Sequence, residues 1–304
     1  MNSIKKTFRA ALALLSLAAF AGCASGQPEA PVSVLIVSGQ NNHNWPVSHV
    51  ALQNIFNSSD LFRADVVLSP AQGEDMSAFK PDFDSYDAVV LDYNGDPWPE
   101  ETRKAFLEYV QNGGGLVIYH AADNAFADWD EFNRIIALGG WGGRDESSGP
   151  YCYLKDGELV RDYDTPGPGG HHGQQREYQM HCRNAHHPVT EGLPDNWLHA
   201  RDEMYDCMRG PANIGCLLYS GATDELTGGS GREEPLVFTV DYGDSRIFHI
   251  MLGHAGETLE DNPAMQCVGF RTLLLRGTEW AARGEVTQPV PEDFPTPESV
   301  SFGD

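Results

Sequence analysis

Positive charge is scarce in this chain. Lys and Arg together number 20 against 44 Asp and Glu, a formal net charge of −24 at pH 7. A surface this anionic repels nucleic acid and anionic headgroups and disfavours phosphorylated ligands, so no nucleic-acid partner and no nucleotide cofactor are expected. Neutral sugars or cations suit it better. Cysteine is sparse too. Cys23 stands near the N-terminus, and Cys152, Cys182, Cys207, Cys216 and Cys267 form no C-x-x-C pair, which excludes zinc-ribbon and thioredoxin readings. Their spacing assigns no disulfide, and their odd number leaves one thiol over. No G-x-C-x-G or G-x-S-x-G occurs, so the elbow of a thiol or serine nucleophile is missing. Beyond the N-terminus no apolar run approaches the roughly 20 residues of a membrane helix.

The N-terminus itself carries Lys5, Lys6 and Arg9, then the apolar run Ala10–Phe20 and Ala21-Gly22-Cys23. This is the pattern of a signal peptide, here 1–23, ending in a lipobox-like sequence. The expectation is export, with a lipid anchor on Cys23 at the periplasmic or cell-surface membrane and a polar tether over 24–30. A cleaved, soluble periplasmic protein is the alternative.

The next stretch alternates strand and helix. Strands are expected at Val32–Ser38, Phe62–Ser69, Asp87–Tyr93 and Leu116–His120, with helices at Val47–Phe56, Glu100–Asn112 and Trp129–Leu138. Pro46 and Pro99 suit helix starts, and Gly113 suits a helix end. Repeated βα units imply an α/β fold with a doubly wound, mostly parallel sheet. From Gly139 the texture changes. Gly139–Gly143 and Thr165–Gly173 are glycine-rich insertions, and Tyr151–Leu154 with Glu158–Asp162 forms a hairpin. A β-rich second half follows at Glu177–Arg183, Ile214–Ser220, Leu236–Tyr242 and Arg246–Leu252, then a helix at Ala264–Arg283. The main domain spans 31–283, and a Pro- and acid-rich tail covers 284–304.

Three strand-like runs end in histidine: His120 after Leu116–Tyr119, His43 a short loop after Val32–Ser38, and His254 after Ile247–Leu252 and Gly253. Ligands of open parallel sheets bind outside the carboxyl ends of the strands, so these three histidines mark a site. A bland account of each, as a buried cap or an ordinary loop residue, is the competing one. In Asp202-Glu203-Met204-Tyr205 an extended backbone sends adjacent carboxylates to opposite faces, so one reaches the site. Glu203, with Tyr205 on its side, is the choice; a solvated acidic turn is the alternative. Asp123 and Asn124, just past His120, are placed to meet hydroxyls of a ligand. Trp45, Trp98 and Trp141 are candidate stacking platforms, and His172 could arrive on a glycine-rich lid. His186 and His187 read as a turn before Pro188, and His49, His181, His199 and His249 carry no argument. Imidazoles with a carboxylate also suit a divalent metal, with His43, His120 and His254 as ligands of zinc, manganese or nickel. Without a metal the same groups serve as general acid and base.

The order of Leu35-Ile36-Val37-Ser38-Gly39 with His43-Asn44-Trp45, Gly113-Gly114-Gly115 through His120-Ala121-Ala122, His186-His187-Pro188 through Leu193, Asp202-Glu203-Met204-Tyr205, and Tyr242-Gly243 through Gly253-His254 resembles the ThuA-like (trehalose-utilisation) family. The resemblance covers roughly 31 to 282. It implies a class I glutamine amidotransferase-like, flavodoxin-like fold, but where those enzymes place a cysteine nucleophile this chain has Tyr119-His120-Ala121, which excludes thioester chemistry on glutamine. The family's association with sugar catabolism beside sugar-oxidising dehydrogenases implies a keto-sugar substrate of 3-keto-glycoside type and a dehydrogenase as partner. The implied activity is an exported carbohydrate-active lyase, hydrolase or isomerase. His120 or His254 would remove the proton beside the carbonyl, with isomerisation or elimination and hydrolysis following. A non-catalytic sugar- or metal-binding lipoprotein, or a scaffold partner of a membrane oxidoreductase, are readings of other classes.

Overall fold

Short, branched apolar runs make strands, and here they build the centre of one large sheet. The computed structural model describes residues 30–303. The signal peptide, the lipobox with Cys23 and all but the last residue of the tether lie outside the described residues. The first half contains β1 (Val32–Ser38), α1 (Trp45–Asn57), β2 (Phe62–Leu68), β3 (Ala88–Leu91), α2 (Glu100–Gln111), β4 (Gly115–Tyr119) and α3 (Asp130–Ile136). A hairpin of β5 (Tyr151–Lys155) and β6 (Glu158–Asp162) precedes the two-residue β7 (His171–His172). Then come β8 (Arg176–Cys182), β9 (Asn196–Asp202), β10 (Tyr205–Asp206), β11 (Ile214–Ala222), β12 (Glu233–Val240), β13 (Ile247–Ile250), α4 (Pro263–Gln266) and α5 (Val268–Arg283). No helix among the described residues is long and apolar enough to cross a membrane.

The strand order β2-β1-β3-β4-β13 is parallel throughout, and from β13 the path β12-β11-β8-β9 runs antiparallel. The fold is therefore mixed α/β, with the parallel strands on one side of the sheet, from the edge strand β2 to β13, and the antiparallel strands on the other. The strands β3, β4 and β13 are buried along their whole length. Such strands need cover on both faces. Neighbouring residues of β13 show what covers them. The Phe248 ring meets Gly277 of α5, whereas His249 on the opposite face hydrogen-bonds the Ile136 carbonyl of α3 at 2.8 Å.

A Cβ on Gly277 would lie 2.2 Å from the Phe248 ring. Gly277→Ala is thus expected to destabilise by about 1–3 kcal/mol through overpacking, more than the ~1 kcal/mol that alanine adds to helix propensity. Denaturant unfolding of the variant checks this; a gain in stability would show that α5 can move off β13.

Two expected elements differ. The helix expected over Ala264–Arg283 is broken at Cys267, whose extended backbone (ψ 122) ends α4 and starts α5. There the C-terminal tail enters: Val268 N donates to Ser301 O at 2.9 Å and Gly303 N to Gln266 O at 3.0 Å. The strand β9 was not expected from sequence. Its alternating burial within Asn-Trp-Leu-His-Ala-Arg-Asp hides Trp197, His199 and Asp202 and turns Arg201 outward.

Candidate active site

The parallel strands deliver their histidines to one edge. β1 runs into the loop Gly39–Asn44, where His43 N donates to Asn41 Oδ1 at 3.0 Å. Asn41 in turn reaches the buried carboxyl of Asp92, which accepts from Ser38 Oγ at 2.9 Å and Ser48 Oγ at 2.7 Å. Burial pushes the Asp92 carboxyl up to about 7 despite those hydroxyls.

β4 ends at His120, which sits in the left-handed region at φ 44°. A non-glycine residue there stores strain, and strain of this kind collects at functional sites. His120 stands at the sharp turn from β4 into the 3₁₀ turn His120–Asn124. Its Nδ1 lies 2.7 Å from the Met251 carbonyl, which can only accept, so Nδ1 carries the hydrogen and Nε2 faces the site bare.

β13 leads to Gly253 at φ 98°, where a Cβ would strike the Phe270 and Tyr119 rings, and Tyr119 donates its hydroxyl to the Gly253 carbonyl. His254 follows. The antiparallel half contributes the end of β9 and β10. Asp202 turns down into the protein, Glu203 turns up, and Tyr205 stacks on His120 with ring centroids 4.6 Å apart. The short pairing of β7 with β10 carries His172 to the same place.

Glu203 is the centre of the group, and its two oxygens face different partners. Oε2 lies 3.2 Å from His43 Nε2 and 3.8 Å from His120 Nε2. Oε1 lies 3.3 Å from His254 Nε2 and 3.8 Å from His172 Nε2. The first pair is the more buried, with side chains 12% and 2% exposed against 22% and 39% for the second. Burial alone would push the Glu203 carboxyl up. The His43 hydrogen bond and the neighbouring histidines outweigh it and hold the group at about 2. His120 is pushed down to about 3 by burial first and by His43 next, and burial also lowers His254. Charged imidazoles would be needed for the full depression of Glu203, whereas burial keeps His120 and His254 neutral at pH 7. The state that satisfies both tendencies is an ionised Glu203 beside neutral His120 and His254, held by its hydrogen bond with His43.

His43, His120 and Glu203 form a group that could hold a metal ion, with one ligand atom each and all of these within 4.8 Å of one another. Donors about 2.1 Å from a common tetrahedral centre are roughly 3.4 Å apart. The 3.2 and 3.8 Å separations at Oε2 bracket that figure. The Met251 carbonyl fixes the His120 tautomer that ligation through Nε2 needs. The residues fit a divalent cation. His254, expected as the third ligand, stands outside this group on the other oxygen.

Above these residues opens a cleft of about 1170 Å³ lined by Asn42, Asn94, Asn124, Trp141, Gln175 and Arg201 among others. Asn124 lies there, with its buried Oδ1 unpartnered. Three expected ligand contacts are corrected. Asp123 does not reach the cleft: it is fully buried, and its Oδ2 pairs with His249 Nε2 at 3.2 Å. The residue before Asn124 in a tight 3₁₀ turn points inward, and His249 on β13 receives it. Trp45 starts α1 and lies against His49 at 5.7 Å, outside the cleft lining. Trp98 is in the core at 2% exposed, so the aromatic wall of the cleft is Trp141. Gln175, which the sequence did not single out, reaches Glu203 Oε1 at 3.5 Å and His254 Nδ1 at 3.4 Å. All five described cysteines are free thiols, and none lines the cleft.

A polar cleft at the carboxyl edge of parallel strands, floored by histidines around one carboxylate, is the candidate small-molecule site of this mixed α/β fold. The chain belongs to the ThuA family, described as trehalose utilisation, whose pattern matches residues 33–281. It is similar to a ThuA-like protein of Parabacteroides merdae, 64% identical, with a TM-score of 0.89 over 90% of this chain and 98% of that one. A ThuA-like protein of Bacteroides uniformis, 19% identical, shares the fold at a TM-score of 0.54 over 88% of this chain and 97% of that one. No curated protein matches the chain. Membership of the family suggests a carbohydrate-related role.

Proposed function

We propose that this protein is an exported carbohydrate-processing enzyme that acts on a keto-sugar of 3-keto-glycoside type by removing the proton beside the carbonyl. The observation that supports this most is the division of labour around Glu203. The amides of Asn42, Asn94, Asn124 and Gln175 suit sugar hydroxyls, and Trp141 offers a ring face to a pyranose.

A carbonyl at C3 acidifies the C2 hydrogen. His254, neutral at pH 7 and open to the cleft, keeps its Nε2 hydrogen toward Glu203 and takes that proton on Nδ1, the atom Gln175 otherwise reaches. The imidazolium so formed lies 3.3 Å from the Glu203 carboxylate, which stabilises it. The C2–H electron pair becomes the C2–C3 double bond, and charge moves to the C3 oxygen. Tyr205, whose hydroxyl burial pushes well above its ordinary range, stays protonated and donates to such an oxygen. Zinc, manganese or nickel held by His43, His120 and Glu203 would supply a fixed positive charge for the same oxygen. Return of the proton elsewhere on the sugar completes an isomerisation. Alternatively the C3 oxygen reforms the carbonyl, the C2–C3 electrons become a C1–C2 double bond, the C1–O bond breaks, the His254 proton goes to the leaving oxygen, and water adds across C1–C2. A sugar-oxidising dehydrogenase upstream supplies the ketone, and a lipid on Cys23 holds the enzyme at the membrane.

Incubation with 3-keto-glucosides in deuterated water tests the reading. Deuterium at C2, with isomerised sugar or released aglycone detected by mass, is the expected result. Recovery of unlabelled substrate across a panel of such glycosides would overturn it.

A further inference from the structure

Beneath the cleft, on the opposite side of Glu203, lies a second polar group that the proposed chemistry does not use. Asp202 is 1% exposed and His199 0%. The two oxygens of Asp202 are committed separately. Oδ1 accepts from Glu203 N at 2.8 Å and from His254 N at 3.0 Å. Oδ2 accepts from Gly253 N at 2.7 Å and pairs with His199 Nε2 at 2.8 Å. One atom, Oδ1, therefore ties the backbone of the carboxylate at the centre of the site to the backbone of the cleft-facing histidine His254. Those residues come from different halves of the sheet, Glu203 from the end of the edge strand β9 and His254 from the exit of β13. No strand pairing joins β9 to β13.

We infer that Asp202 is a positioning residue that fixes Glu203 and His254 relative to each other, and that His199 locks the Asp202 carboxylate in the orientation this requires. An ionised carboxylate taking several N–H donors makes charge-assisted hydrogen bonds, about twice as strong as neutral ones. His199 is gripped in turn by the core: its ring meets Trp197 edge-on at 5.7 Å and Tyr178 at 5.2 Å. The chain from core to site is thus aromatic wall, His199, Asp202, then the two backbone amides that carry Glu203 and His254. Outer partners of this kind orient a metal ligand without touching the ion, and their loss typically weakens metal binding by about 10- to 100-fold.

The metal part of the test rests on the proposed Glu203 site, so two readouts are taken on the same proteins. Full-length wild type, Asp202→Asn, His199→Ala and His199→Gln are titrated with cobalt(II), followed by its visible bands. Hydrogen exchange is measured at the amides of Glu203, Gly253 and His254. His199→Ala is expected to bind cobalt about 10- to 100-fold more weakly than wild type with altered bands. Its Gly253 and His254 amides should exchange at least tenfold faster. His199→Gln, whose amide can donate to Asp202 from nearly the same place, should recover most of both. Asp202→Asn, which keeps one acceptor oxygen, should exchange faster chiefly at Gly253, and it stands in if His199→Ala does not fold. Unchanged exchange at these amides in folded variants overturns the positioning role. Wild type that takes up no cobalt overturns the metal reading instead, and the exchange data then decide the positioning role alone.

Discussion

His120→Ala is expected to lower turnover of a keto-sugar by about three orders of magnitude, the upper part of the range for a group acting directly on a reacting centre. The variant removes a candidate metal ligand and the partner of the Tyr205 hydroxyl together, since Tyr205 Oη lies 3.2 Å from His120 Nε2. Substitution of cysteines should do little by comparison. Burial and the adjacent Asp206 push the Cys207 thiol up to about 12, and burial raises Cys182, so neither offers a thiolate at neutral pH. Steady-state kinetics on His120→Ala beside Cys182→Ser and Cys207→Ser separates the two. A folded Cys182→Ser or Cys207→Ser protein that lost turnover would return the mechanism to thiol chemistry, and a His120→Ala protein that kept it would remove His120 from the reaction.

Removal of the metal is expected to have an effect of similar size. Dialysis against a chelator should abolish most of the activity, and zinc, manganese or nickel should restore it. The pH dependence follows from the site. Ligation needs a neutral imidazole and an ionised carboxylate. The sequence alone would place the loss of metal near the ordinary histidine value of about 6.5. His120 is held at about 3 and Glu203 at about 2, both below their ordinary values. A depressed folded-state value means that the stabilising contribution is present above the unfolded value and is lost as pH falls toward the folded one. For folding stability His120 therefore contributes fully above about 6.5 and loses its part between there and about 3, with Glu203 following at lower pH, whereas ligation in the folded protein follows the folded-state values. Metal content after gel filtration at pH 7, 5 and 4 should fall with pH, with His120 and Glu203 keeping their ligating forms well below the ordinary histidine value. No stoichiometric metal at pH 7, with activity indifferent to chelator, would remove the metal and leave Tyr205 and the protonated base to stabilise the charge.

The parts of the site that were legible in the sequence were those carried by buried strands. Val34 to Val37, Leu116 to Tyr119 and Ile247 to Ile250 are apolar runs whose ends are plain, and a polar residue at such an end is conspicuous. Glu203 was reached by a parity rule, since neighbours in extended chain face opposite ways. The same rule sent Asp202 away from the cleft but could not say what waited beneath, because His199 depends on a strand, Asn196–Asp202, whose charged residues mask it. Asp123 was misread for a related reason. It follows His120 closely in sequence, yet the 3₁₀ turn begun by the positive φ of His120 aims it at His249, a contact 126 positions away. Gln175 sits in an aperiodic glycine-rich strap, where nothing local reports direction. Trp45 shows that an aromatic beside a site histidine can be occupied in starting a helix.

Placing β13 beside β4 has a consequence for how the protein comes into being. His120 and the Met251 carbonyl that orients it are 131 positions apart. The central parallel pair cannot close until nearly the whole domain has left the ribosome, because β13 is the last strand made. Until then the β4 edge, apolar and unpaired, waits for a partner that the intervening hairpins cannot supply. Long-range parallel pairing of this kind is slow and exposes edges to association with other chains. The first half of the chain should therefore behave as a sticky, unfinished sheet when expressed alone. It would carry His43 and His120 but have no Glu203 between them.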